Sequence, residues 1–70
     1  MVKAKNDGAV RFNEMRTVHA LDGTWIVLNK NGYITVHGKD GRELERYNAV
    51  IGSVVSVADG DHVKKGQTFV

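Results

Sequence analysis

Cysteine and proline are both missing from this 70-residue chain. Without cysteine, neither a disulfide framework nor a thiolate zinc site can staple the fold, so a small core has to hold it alone. No apolar run approaches the ~18 residues of a membrane helix, and the opening MVKAKNDGAV lacks the apolar stretch of a secretory leader. Charge of one sign is scarce as well. Ten Lys/Arg against eight Asp/Glu leave a net +2, too mild for a nucleic-acid binder, which clusters its basic residues. No window repeats apolar residues at i, i+3, i+4 and i+7 for three turns, which excludes a substantial helix. Leu44–Tyr47 is the one stretch that fits a single helical turn, and strand suits it better.

What is abundant is glycine, at 8, 23, 32, 38, 41, 52, 60 and 66. Between the glycines lie short runs of Val, Ile, Thr, Tyr and Trp, the pattern of an all-β sandwich or barrel. No repeat or low-complexity stretch divides the chain, so residues 1–70 read as a single domain. Its last residue falls in mid-strand, as in a fragment excised from a larger subunit.

Asp22-Gly23 and Asn31-Gly32 are both two-residue type I′ hairpin signals. Counting outward pairs Ala20 with Trp25, Val18 with Val27, Val27 with Val36 and Asn29 with Ile34. One face of the resulting three-stranded meander collects Val18, Ala20, Trp25, Val27, Ile34 and Val36. The other carries Thr17, His19, Ile26, Leu28, Tyr33, Thr35 and His37. Trp25 is then the main core anchor, and Gly32 needs a positive φ. A one-residue slip would invert every side chain. The next turn, Lys39-Asp40-Gly41, keeps Leu44 on the apolar face only as a three-residue loop with Gly41 left-handed, pairing Val36 with Leu44; a bulge at Gly38 is the alternative. Beyond it, Ser53–Ala58 reads as a strand, Asp59-Gly60-Asp61 as a turn, Val63 as a core plug, and Gly66 as the turn into a returning strand.

Little of this spells chemistry. His19 and His37 share the less apolar face, but no third ligand stands beside them, and structural zinc takes four. Asp59 and Asp61 lack the further carboxylates of a calcium loop or a magnesium triad, so they read as turn residues capping local backbone N–H groups. Ser53 and Ser56 have no strained elbow, and no phosphate-binding glycine loop occurs. Lys64-Lys65 is a solvated loop pair, and Arg11, Arg16, Arg42 and Arg46 are scattered. With Trp25 assigned to the core, no aromatic platform remains to stack a base. Catalytic, cofactor and metal residues are therefore expected to be absent.

Three stretches nevertheless form a recognisable series. The first is Lys5, Asn6, Gly8, Val10 and Phe12. The second is Asp40, Arg42, Glu45 and Tyr47. The third is Gly52, Val55, Val57, Asp59, Gly60, Asp61, Val63, Gly66 and Gln67. Together they resemble the insertion in the trigger loop of the bacterial DNA-directed RNA polymerase β′ subunit, through nearly the whole chain. The spacing from Asp40 to Gly41 is shorter than in that family, and Asn48-Ala49-Val50-Ile51 stands where the family usually has a proline. The resemblance implies a small sandwich-barrel hybrid domain, a non-catalytic module that modulates trigger-loop movement and hence elongation and pausing. The polymerase's magnesium and zinc sites lie outside the matched segment, so no cofactor is implied here. The implied partners are other polymerase regions and subunits, with weak contact to downstream DNA or transcription factors, in the bacterial cytoplasm. No membrane is involved, and the isolated domain is expected to be monomeric.

The third stretch also resembles the first half of biotinyl- and lipoyl-carrier domains, a different class. There the modified lysine sits on a hairpin after the motif, where this chain has none, and Lys30 precedes the motif without the flanking signature. Other barrel-sandwich hybrid adaptors share the same motif.

Overall fold

A computed structural model describes residues 1–70 and contains strands but no helix. The elements are β1 (Gly8–Asn13), β2 (Thr17–His19), β3 (Trp25–Val27), β4 (Gly32–His37), β5 (Glu43–Ala49), β6 (Val54–Val55) and β7 (His62–Val63). They form two antiparallel sheets, one in the order β5-β4-β1-β7 and the other β2-β3-β6. The all-β sandwich or barrel class expected from the glycine punctuation is what the chain adopts.

One core joins the sheets. Val10, Ile34 and Val36 point inward from the larger sheet and Val27 and Val55 from the smaller, with Val63 and Phe69 buried among them. Val63 is thus the plug its isolation in a polar stretch predicted. Residues 68–70 lie beside β6, since Ser56 N donates to Phe69 O at 3.0 Å. The N-terminal arm pairs with them in turn: Phe69 N donates to Val2 O (3.0 Å), Val2 N to Val70 O (3.3 Å) and Ala4 N to Gln67 O (2.9 Å).

The predicted meander is corrected. β3 and β4 belong to different sheets, so Asn31-Gly32 is a crossover between layers and not a hairpin. The bend is held by the Asn29 side chain. Its Oδ1 accepts from Arg16 N at 2.6 Å, and its Nδ2 donates to Glu14 O and Lys30 O. The left-handed residue there is Asn31, with φ 69°, and not Gly32. Gly32 is required for space instead, because a Cβ would lie 2.4 Å from the Met15 side chain.

The first hairpin is also shifted by one residue. His19 faces Trp25 and Val18 faces Ile26. Asp22 accepts from both Thr24 N and Thr24 Oγ1, and Ala20 N bonds Thr24 O, closing a three-residue loop with Gly23 left-handed at φ 89°. Val18 is therefore turned outward. Trp25 is only half-buried and stacks on His19, with ring centroids 4.1 Å apart, so the fully buried aromatic anchor is Phe69. Tyr47 meets Phe69 edge-on at 5.7 Å.

The third turn keeps its expected form. Gly41 has φ 81°, Gly38 N bonds Arg42 O, and His37 faces Glu43. The register then shifts, so that Val36 faces Glu45 and Leu44 is the extra residue of a bulge. Leu44 leaves the core face to which the pairing assigned it, and a carboxylate takes its place.

Candidate functional site

The bulge on β5 creates the most polar interior position in the molecule. Glu45 lies on the core side of the sheet with 8% of its surface exposed. A carboxylate removed from water has to be compensated by donors. Lys5 N, Asn6 N, Asn6 Nδ2 and the Tyr47 hydroxyl all donate to it, the first three at 2.9–3.1 Å. Burial pushes the Glu45 carboxyl up, but the bonds from Tyr47, Lys5 and Asn6 together outweigh it and hold the group below its ordinary 4.5. Across that bond the Tyr47 phenol is pushed up to about 12, first by its donation to Glu45 and then by burial. Glu45 is thus an ionised latch that fastens the N-terminal arm to β5.

Asp59 and Asp61 form a second set of ties. Asp61 caps its own turn by accepting from Ala58 N at 2.9 Å, as expected of a turn aspartate. Asp59 reaches farther and accepts from Phe12 N on β1 at 2.9 Å. Gln67 closes the last turn by accepting from Lys64 N, and Asp7 accepts from Lys65 N at 2.7 Å. Gly8 admits the close approach of β1 to β4, where an added Cβ would lie 2.4 Å from His37 O.

The two histidines placed on one face by hairpin counting are separated, His19 on β2 and His37 on β4 in the other sheet. His37 is bound on both ring nitrogens, Nε2 to Thr35 Oγ1 at 2.8 Å and Nδ1 to Gly41 O at 3.0 Å. Ala9 faces both His37 and His62, and a cleft of about 410 Å³ opens over this row, lined also by Lys39 and Lys64. A second cleft, of about 370 Å³, lies between the Lys30–Gly32 crossover and Asn48–Ile51. No three His, Cys, Asp or Glu side chains converge on a point that could hold a metal ion. The polar residues of the resemblance motifs map onto latches and turns, and Val10, Val55, Val57 and Val63 onto the core. Sequence reasoning used Glu45 and Tyr47 only as marks of resemblance and missed their joint burial; the signal available was the inward parity of residues 45, 47 and 49 once the bulge is counted.

The fold and its polar ties define a class first: a small all-β module whose motif carboxylates hold its own segments together. No protein-family profile matches the chain. It is 48% identical over 69 residues, 99% of its length, to the DNA-directed RNA polymerase subunit beta' of Methylacidiphilum infernorum. The subunits of the same name from Koribacter versatilis and Opitutus terrae are 48% and 43% identical over 67 and 65 residues. This chain is a β′-like segment, and it spans about 5% of the length of these relatives.

Proposed function

We propose that the chain is a non-catalytic insertion module of a polymerase β′ subunit, which biases trigger-loop movement and through it elongation and pausing. The observation that carries this reading is the pairing of its two ends. Val2 exchanges backbone hydrogen bonds with Phe69 and Val70, so a host chain enters and leaves at adjacent points, and the module can sit in a loop without spreading its stems. The carboxylates that carry the resemblance support the same role, because Glu45, Asp59 and Asp61 are all engaged in internal bonds. Its neighbours are then other regions and subunits of the polymerase. The similarity to β′ subunits favours this reading over the carrier one.

A module carried on a moving loop adds a free-energy difference to the loop's open and closed states. A difference of about 1.4 kcal/mol shifts such an equilibrium tenfold. The test is a polymerase whose β′ lacks residues 2–70, run beside wild type on a template with defined pause sites. Altered pause lifetimes and elongation rates with an unchanged magnesium requirement are expected. Identical lifetimes and rates would refute the regulatory role.

A further inference from the structure

The outer faces of the two sheets are opposite in character. On the larger sheet the outward row Arg11–Thr35–Arg46 is polar, and Asn13 Nδ2 and His37 both bond Thr35 Oγ1. Arg46 lies over the Tyr33 ring at 4.4 Å and pairs with Glu43. Polar side chains thus cover this face: Thr35 itself is buried among them, while Arg11 and Arg46 face water. The smaller sheet differs. Its inward residues Val27 and Val55 are buried, yet its outward row Val18–Ile26–Val54 is apolar as well. Val18 is 46% exposed and Val54 50%, and Leu28, just past the end of β3, is 51% exposed. Val50 and Ile51, in the segment before β6, are exposed as well, beside the Lys30–Gly32 crossover. Side chains that are apolar on both faces of a sheet belong to a sheet covered on both faces.

We infer that this second face is covered by apolar residues of the same β′ polypeptide outside residues 1–70. The inference rests on the β′ reading above. Two observations select that occupant. The matched segment is about 5% of the length of its relatives, so most of their chain lies outside it. Residues 68–70 and 2–4 adjoin β6 through the Ser56–Phe69 and Val2–Phe69 hydrogen bonds, so a continuing chain leaves from the edge of the very sheet that carries the apolar row. The larger sheet, polar outside, has no such need.

The test uses the assembled polymerase containing full-length β′. A benzophenone photo-crosslinking residue is placed at Val18 or at Val54, and at Arg11 on the opposite outer face as the control. These are exposed positions, so folding is retained. The expected result is an internal β′ crosslink from Val18 and Val54, mapped by mass spectrometry to peptides outside residues 1–70, in several-fold excess over Arg11. Crosslinks from Val18 and Val54 to a different subunit, to a second copy of β′, or in no excess over Arg11 would overturn the inference. Failure here leaves the regulatory reading intact when the deletion enzyme still shows altered pausing, so the two failures are distinguishable.

Discussion

Replacing Glu45 tests whether one inward carboxylate holds the arm to the sheet. In Glu45→Ala the backbone N–H groups of Lys5 and Asn6 lose their acceptor, and the Asn6 amide and Tyr47 hydroxyl lose theirs. Each buried donor left unpaired costs about 1–3 kcal/mol, and because the arm can lift and rehydrate, the total is about 3–5 kcal/mol. A domain of this length is stable by roughly 4–10 kcal/mol, so the variant should lose between about a third and all of its stability. Glu45→Gln keeps the shape but turns an amide N–H₂ toward donors, at about 2–3 kcal/mol. Urea titrations at a series of pH values would read this directly, with the midpoint moving and the slope unchanged. The sign with pH follows from the depressed carboxyl. Its stabilisation is complete above 4.5, the unfolded value, and is lost as pH falls through the lower folded value. The gap between wild type and Glu45→Gln should therefore close in acid. Glu43 is the control: its pair with Arg46 is exposed, so Glu43→Gln should barely move the midpoint. Equal shifts for the two glutamates, or a gap independent of pH, would refute the latch.

Two further variants separate the observed core from the one read off the turns. Phe69→Ala should cost about 3–5 kcal/mol and clearly more than Trp25→Ala, compared by thermal melts, because Phe69 is fully buried while Trp25 stacks half-exposed on His19. Gly8→Ala should cost about 1–3 kcal/mol by the same measurement, since its methyl group would meet the His37 carbonyl, while Gly41→Ala would strain a turn with open space around it.

The sequence disclosed the class of fold, the left-handed Gly41 turn and the buried Val63, because each follows from local chemistry: glycine at a positive φ, or one apolar residue in a polar stretch. It concealed the register of the first hairpin, because Asp22-Gly23 serves a two-residue loop as well as the three-residue loop that Thr24 selects by donating to Asp22. It concealed the change of sheet at Asn31-Gly32, where the deciding contacts come from Asn29 reaching Glu14 and Arg16, thirteen or more residues away. Glu45 was hidden for a related reason. Glu43-Leu44-Glu45-Arg46 looks like a solvated edge with one apolar residue, and only the bulge reverses which of Leu44 and Glu45 turns inward.

The joined ends also have a mechanical consequence. Residues 2–4 and 66–70 run antiparallel with both free ends on the same side, so tension drawing residues 2 and 70 apart loads their hydrogen bonds in succession and not all at once. Such a seam opens like a zipper at low force. Behind it stands the grip of Glu45 on Lys5 and Asn6, where peeling of the arm meets several bonds together. A host loop that pulled on this module would therefore feel a soft first yield and then a firm stop, and the position of that stop is written at residue 45.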